Sequence, residues 1–301
     1  MWGGPFLVQS IVPGLETVLA RNESWWGSGP FLDEVRLVLV PDATTARQLL
    51  GRGELDVVMP LAGTVRTPQL EAVAGVEVER VERGGWSTVL VANAAALPLE
   101  KRRALFASVD RQAFASTLLA GEATVLQGLG PSPEDGTWSS VVVGDVTALA
   151  SETVDLIAPV EEPMAGLLHR SMQKRVRAGT EGKATIELRG AEADRVERWL
   201  ADRSYEAALV SWLDPLGGCW TCRWGDLGAA AASADTGDPA AVAALQAILR
   251  DDALVLPLWR PATVVAWRGG LRGVAANGYA AGAAWNAAEW WRPAPSDNAS
   301  S

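Results

Sequence analysis

Histidine, cysteine and cationic residues are scarce in this sequence of 301 residues. One histidine, His169, and two cysteines, Cys219 and Cys222, exclude metal sites built from several histidines or from four cysteines. The single histidine also leaves one possible base for a Ser-His-Asp catalytic site. Lys and Arg number 26 against 36 Asp and Glu, which gives a net charge of −10. We therefore expect no metal, no cofactor and no nucleic-acid partner, because nucleic acids are bound through clustered cations.

Long apolar runs are also missing, since none reaches the roughly 18 residues that a membrane-spanning helix requires. The start of the chain, Met1 to Pro5, has no cationic segment followed by an apolar stretch, so no signal peptide is expected in this chain. Hydrophobic residues make up 49% and charged residues 21%, a balance typical of a globular protein. Tryptophan, in contrast, is abundant, with 14 residues against two tyrosines and four phenylalanines. Some indoles fill the core, and the others are available for an aromatic-lined pocket.

Short β-prone runs dominate the first 92 residues. The runs at 6–11 and 16–20 flank the turn signal Pro13-Gly14 and predict a β-hairpin. Two further strands are predicted at 76–83 and 88–92.

A strand–helix–strand pattern lies between these runs. The apolar run VRLVLV at 35–40 predicts a strand that is buried on both faces. Asp42 is placed to cap a helix over 44–50, and a second strand follows at 56–59. This order predicts a parallel pair of strands.

The most regular pattern of the chain lies between residues 153 and 212. Three strands alternate there with two helices, which predicts a βαβαβ lobe with an open sheet. The predicted elements are strands at 154–160, 185–188 and 207–212 and helices at 162–178 and 191–202. Outside this lobe the pattern predicts one helix over 99–119, an irregular stretch over 217–238, a helix over 239–249 and an extended run over 254–267.

Cys219-Trp220-Thr221-Cys222 has the spacing of a redox motif. A catalytic disulfide sits at the N-terminus of a helix, where the helix dipole lowers the pKa of a thiol. The residues that follow, Arg223-Trp224-Gly225, are a poor helix start. A disulfide or a plain thiol pair that stiffens a loop is therefore favoured over redox catalysis.

Trp212-Leu213-Asp214-Pro215 stands at the carboxyl end of the last predicted strand, where open sheets bind their ligands. Asp214, flanked in sequence by Trp212, Trp220 and Trp224, could meet a cationic group inside an aromatic wall. An Asp-Pro turn beside core tryptophans explains the same residues equally well.

Two other features carry weaker signals. His169 falls in a predicted helix and is interpreted as a surface histidine. Glu161 and Glu162 are adjacent carboxylates, whose side chains point apart, and we interpret them as solvated or as charges at a helix start.

The first 57 residues contain an ordered series of motifs: Gly4-Pro5-Phe6, Pro13-Gly14, Arg21-Asn22, Trp25-Trp26-Gly27, Phe31 to Val35, Pro41 to Thr45 and Gly53 to Val57. Taken in this order, the motifs resemble family 5 of the bacterial extracellular solute-binding proteins, the oligopeptide, dipeptide and nickel receptors of ABC importers. Later segments agree with the family as well, namely Arg103 to Arg111, Tyr205 to Asp214, Leu256 to Leu258 and Trp285 to Trp290.

The resemblance implies an α/β fold of the periplasmic-binding-protein type II-like class, with two lobes of mixed sheets joined by a hinge. Residues 1–92 and 259–295 would form a partial lobe I, and residues 93–258 the second large lobe. The final residues, 296–301, are expected to be a disordered tail. The family's signal peptide, the first part of lobe I and an inserted domain would be absent from this chain.

The resemblance also implies a function, the capture of a short peptide or similar small solute between the lobes and its delivery to an ABC permease. In this interpretation no bond is broken, and the protein is a monomer that works outside the cytoplasm. Asp214 would pair with a peptide's amino group, while Trp212, Trp220 and Trp224 supply apolar walls and Arg223 meets a carboxylate.

Three alternatives remain open at this stage. The same fold could serve as a ligand-sensing regulatory domain. The chain could be a truncated relative that binds nothing. Cys219 and Cys222 could instead support thiol–disulfide exchange.

Overall fold

The computed structural model describes residues 4–59, 67–82, 86–119, 122–129, 138, 144–162, 164–213, 219–278 and 284–293. The chain forms two compact units. Unit 1 comprises Met1–Val81 and Ala262–Ser301, and unit 2 comprises Glu82–Pro261. The domain boundaries expected from the sequence lie at 92/93 and 258/259, whereas the boundaries between the two units lie at 81/82 and 261/262. The strand predicted at 88–92, which was expected in lobe I, therefore lies in unit 2. The expected disordered tail, 296–301, lies outside the described residues.

Unit 1 contains a three-stranded antiparallel sheet. Strands β1 (Phe6–Val12) and β2 (Glu16–Arg21) form the predicted hairpin, which is confirmed, and β3 (Glu34–Val38) pairs with the other edge of β2. Val35 on β3 is buried and packs with Val265 and Trp267 of the same unit. One side of this sheet therefore contributes to the unit 1 core.

Among its described residues, unit 1 also contains two α-helices, a 3-10 turn at Ala287–Glu289 and three further strands. Helix α1 (Ala43–Arg52) begins after Asp42, whose carboxylate accepts a 2.9 Å hydrogen bond from the Thr45 backbone nitrogen, as predicted for a cap. The others are β4 (Val57–Val58), α2 (Thr67–Glu71), β5 (Val76–Glu82) and the second part of β11 (Val255–Arg268). Both β4 and β5 pair with β11.

The parallel strand pair predicted over 35–59 is wrong. β3 pairs antiparallel with β2, and β4 pairs antiparallel with β11 in a different sheet. A strand–helix–strand order predicts parallel pairing only when both strands join the same sheet. The predicted burial of VRLVLV on both faces is also wrong, because Leu37 and Leu39 are 45% and 67% exposed.

Unit 2 is built on a mixed sheet. Its strands are β6 (Trp86–Ala92), β7 (Ala123–Val125), β8 (Thr153–Pro159), β9 (Thr185–Ala191), β10 (Ala207–Leu213) and the first part of β11. Their order is β11-β6-β10-β8-β9, and β7 pairs with β11. β8 is parallel to both β9 and β10, which confirms the predicted βαβαβ lobe.

Helices cover both faces of the unit 2 sheet. Helix α5 (Ala165–Gly179) packs Leu168 and Met172 against Leu156 of β8. Helices α6 (Ala193–Ala201) and α9 (Pro239–Asp251) pack on a second cluster that contains Ile157, the next residue of β8. Successive strand residues point to opposite faces, so this alternation puts α5 on one side and α6 with α9 on the other.

Two predictions for unit 2 are wrong in detail. The helix predicted over 99–119 is broken into α3 (Leu99–Ala107), α4 (Arg111–Ala113) and a wider turn of helix over Phe114–Leu118. Asp110 causes the break, because its carboxylate accepts from the Ala113 backbone nitrogen and starts a new helix. The stretch 217–238, predicted as irregular, contains α7 (Trp220–Trp224) and α8 (Ala229–Ala234).

Within the described ranges, no helix combines the length and the apolar character needed to cross a membrane.

Candidate functional site

The carboxyl edge of the unit 2 sheet, where β8 and β10 end side by side, is the candidate site. After β8 the chain passes through α5 to β9, and it then returns through α6 on the opposite face to β10. The connection that leaves β8 packs on one face of the sheet through α5, whereas α8 and α9, which follow β10, pack on the other face. Such a switch point opens a crevice at the carboxyl ends of the strands, and open α/β sheets bind their ligands there.

The sequence-predicted ligand residues that the structure describes lie on β10 and α7. Trp212 is the second-last residue of strand β10, and Arg223 lies in helix α7. Asp214 falls outside the described residues. The role expected for these three residues therefore stays a prediction.

The other two predicted aromatic residues, Trp220 and Trp224, lie on α7. Trp224 is 6% exposed and belongs to the buried cluster beneath α8 and α9. Trp220 is half-buried and packs against the same cluster. Trp224 thus anchors α7 to the core, whereas Trp220 stays partly exposed.

Cys219 and Cys222 form a disulfide, with their Cα atoms 5.3 Å apart. Cys219 immediately precedes α7 and Cys222 is exposed. The interpretation that Arg223-Trp224-Gly225 makes a poor helix start is corrected, since residues 220–224 form a helical turn.

A distant carboxylate supports that turn. Asp235, just after α8, accepts hydrogen bonds from the backbone nitrogens of Trp220 and Thr221 and from the Thr221 hydroxyl. The Thr221 hydroxyl bond and the backbone bonds hold the pKa of Asp235 below its ordinary value. The sequence between 217 and 238 gives no local signal for α7, because the capping residue lies 15 positions from Trp220.

One functional candidate at this edge was missed. Glu162 follows β8 closely, and its Oε2 atom accepts a 2.7 Å hydrogen bond from the Ser211 hydroxyl on β10. Both side chains are half-buried. The rule that singled out Asp214, a polar residue at the carboxyl end of a parallel strand, applies to Glu162 as well.

His169 has a structural contact in this unit. Its Nε2 atom lies 2.8 Å from the Ile186 carbonyl oxygen, so the side chain links α5 to β9. The residue is half-buried rather than fully on the surface. For metal ions, the described residues contain no group of three or more His, Cys, Asp or Glu side chains that could act as ligands.

The sequence of residues 2–148 matches the family model of "Bacterial extracellular solute-binding proteins, family 5 Middle". The match covers slightly less than half of the chain. The resemblance seen in the motifs is thereby confirmed, and the family is one of binding proteins. No curated protein matches the sequence.

Solved structures match the fold of this chain along nearly its whole length. The oligopeptide-binding protein AppA from Bacillus subtilis, in complex with a nonapeptide, has a TM-score of 0.75 and 14% identity over 97% of this chain and 66% of its own. The periplasmic EDTA-binding protein EppA has a TM-score of 0.74 and 18% identity over 97% and 65%. A dipeptide-binding protein from Pseudoalteromonas sp. SM9913, in complex with Met-Leu, has a TM-score of 0.74 and 15% identity over 96% and 64%.

These matches confirm the expected mixed α/β fold of the periplasmic-binding-protein type II-like class. At identities of 14–18% they concern the fold alone. The chain spans slightly less than two thirds of the length of each matched structure.

Proposed function

We propose that this protein binds a short peptide or a similar small solute and delivers it to the permease of an ABC importer. The observation that carries the proposal is the match of residues 2–148 to a family of solute-binding proteins. The fold supports it, because two of the matched structures hold peptides. A transport receptor releases its ligand unchanged, so we propose no catalytic step.

The ligand site in this proposal lies at the carboxyl edge of unit 2. Asp214 would pair with the α-ammonium group of the peptide, and Arg223 with a carboxylate, since charge-assisted hydrogen bonds fix orientation. Trp212 and Trp220 would supply flat apolar walls, which bury varied side chains at a small entropic cost. Trp224 would act from the core by holding α7 in place.

The cellular setting completes the proposal. The protein would work as a monomer outside the cytoplasm, where a disulfide such as Cys219–Cys222 is stable. Asp235 holds the same turn as the disulfide, which supports a structural role for both in shaping α7. We therefore propose that Cys219 and Cys222 stiffen the loop and do not exchange disulfides with other proteins.

Calorimetry with peptides tests the role of Asp214. A panel of Met-Leu, tri-alanine and penta-alanine with free amino termini is titrated into the wild type and into Asp214→Ala. If the ion pair is buried in the complex, the variant binds more weakly by about 2–5 kcal/mol, because truncation leaves the ammonium group without its partner.

Asp202→Ala is the matched control. Asp202 is an exposed carboxylate at the C-terminal end of α6, away from the carboxyl edge of the sheet. It should leave the affinity unchanged. Equal affinities of wild type and Asp214→Ala for a peptide that binds would contradict the assigned role of Asp214. A wild type that binds no member of the panel would contradict peptide binding itself.

A further inference from the structure

A line of hydrogen-bonded side chains crosses the carboxyl edge of the unit 2 sheet, and none of these side chains has a role in the proposed function. Glu162 Oε2 lies 2.7 Å from Ser211 Oγ, and Ser211 Oγ lies 2.7 Å from Thr88 Oγ1. Ser211 and Thr88 are directly opposed on the neighbouring strands β10 and β6. The line therefore runs from the end of β8 across the switch point of the sheet, where ligands bind.

The hydroxyl groups in this line have one consistent direction. An ionised carboxylate only accepts hydrogen bonds, so Ser211 donates its single proton to Glu162. The Ser211 oxygen then accepts from the hydroxyl of Thr88, which is 1% exposed. Both hydroxyls thus point toward Glu162, and each bond polarises the next. This arrangement fixes the position of the carboxylate before any ligand arrives.

Within the part of the chain that the structure describes, the Glu162 carboxylate has no cationic partner. Its second oxygen, Oε1, has only a long contact of 3.4 Å from the backbone nitrogen of Met164. Asp155 on strand β8, in contrast, is paired with Arg189 of β9. A carboxylate can accept about four hydrogen bonds, so Glu162 retains capacity on the side of the ligand edge.

We propose that Glu162, positioned by Ser211, binds a cationic group of the solute, with a primary ammonium such as a peptide's amino terminus as the ligand class. The inference rests on the proposed function and adds a second anionic contact to the one proposed for Asp214. A fixed, half-buried carboxylate suits this task, because its orientation costs little further entropy on binding and the bond to an ammonium is charge-assisted.

The neighbouring Glu161 provides the matched control. It is exposed, and it lies beside Glu192 of the loop after β9, whose pKa it raises by sharing a proton and by repulsion. Glu161 is therefore the same type of residue at almost the same place in sequence, but its carboxylate lies beside Glu192 instead of Ser211.

The test compares Glu162→Gln and Glu161→Gln in calorimetric titrations. The probes are Met-Leu, tri-alanine and penta-alanine, each with a free and with an acetylated amino terminus. Glutamine keeps an acceptor for Ser211 and removes only the charge. We expect Glu162→Gln to bind the free-amine probes roughly tenfold or more weakly and to lose most of the preference over acetylated probes. Glu161→Gln should keep both the affinity and the preference.

Ser211 variants test the positioning. Ser211→Ala should weaken binding of the free-amine probes and reduce their preference over acetylated probes, with some loss of stability because the buried Thr88 hydroxyl loses its acceptor. Ser211→Thr, which restores a hydroxyl, should recover the binding. If Glu162→Gln does not fold, Ser211→Ala and Ser211→Thr test the proposal by the same measurement, the preference for free-amine probes over acetylated probes.

The outcomes separate this inference from the proposed function. A wild type that prefers free amines, together with an equal preference in Glu162→Gln, overturns the role of Glu162 and leaves peptide binding in place. A lower thermal midpoint of Glu162→Gln with an unchanged preference assigns the residue to the start of α5 and also overturns it. A wild type that binds none of the probes overturns both proposals.

Discussion

Strands β8 and β3 have similar sequences and opposite environments. Both are short runs rich in aliphatic residues, TVDLIAP in β8 and EVRLV in β3. In β8, Leu156 and Ile157 are 0% exposed, whereas in β3 Leu37 is 45% and Val38 43% exposed. β8 has a parallel neighbour on each side and helices on both faces, while β3 pairs with β2 alone among the described strands. Burial is thus set by the partners of a strand, which a short apolar run does not encode.

The two strands also differ in what their ends can do. β8 ends beside β10 at a switch point, so the residues that follow it, Glu162 above all, lie where an open sheet binds ligands. β3 ends in an antiparallel sheet of unit 1 and is followed directly by the capped helix α1. The difference explains why the functional candidates gather in unit 2.

The largest expected effect comes from matched leucine truncations in these strands. Leu156→Ala should reduce the free energy of unfolding by about 2–5 kcal/mol, because it removes buried contacts and leaves a cavity between the sheet and α5. Leu37→Ala, at a side chain that is nearly half exposed, should cost less than about 1 kcal/mol. Urea unfolding followed by circular dichroism measures both.

The comparison fails if the two truncations are equally costly. A large loss in Leu37→Ala would mean that β3 is covered in solution by another part of the protein or by a second copy. A small loss in Leu156→Ala would mean that the unit 2 core relaxes around the cavity.

A smaller contrast is expected for two arginines that hold loop carbonyls. Arg102 in unit 2 is 6% exposed and donates to the Leu97 carbonyl at 2.6 Å and to the Asp252 carbonyl at 2.6 and 3.0 Å. Its burial lowers the pKa of the guanidinium. Arg102→Met should cost about 2–3 kcal/mol of unfolding free energy, because it leaves both carbonyl oxygens without these donors.

Arg21 is the counterpart in unit 1. It donates to the carbonyls of Phe31 and Leu32 and pairs with the exposed Asp33 at 2.7 Å. Arg21→Met should cost only about 0.5–1 kcal/mol, since water can replace these contacts. The same urea titrations apply, and a loss in Arg21→Met as large as that in Arg102→Met would contradict the interpretation that water can replace the contacts of Arg21.

The sequence predicts much of unit 2 and less of unit 1 for the same reason. In the βαβαβ lobe, each strand joins the same sheet as the strand before it. The order of elements therefore determines the topology. The pairing of β4 depends on β11, some 200 residues away, and no pattern within 35–59 carries that information. The break at Asp110 was visible in principle, because an aspartate three positions before Ala113 is a capping signal inside a helical pattern.

The candidate site was predicted only in part. The order of elements alone predicts Trp212 at the end of the last strand of the βαβαβ lobe, where it is found, whereas Asp214 lies outside the described residues. Glu162 was set aside because adjacent carboxylates point apart, and this was the correct geometry: Glu161 faces Glu192, and Glu162 faces Ser211. What the sequence lacks is the pairing of Ser211 with Thr88, a contact across 123 positions that orients the carboxylate.

The central claim is that this protein holds a small solute and leaves it chemically unaltered. Native mass spectrometry of the purified protein, before and after adding Met-Leu, tri-alanine and penta-alanine, tests the claim most directly. The account predicts a complex of one protein and one solute, from which denaturation releases the solute at its original mass. A protein that carries no solute and takes up none of the peptides, or one that releases them cleaved or modified, would contradict it.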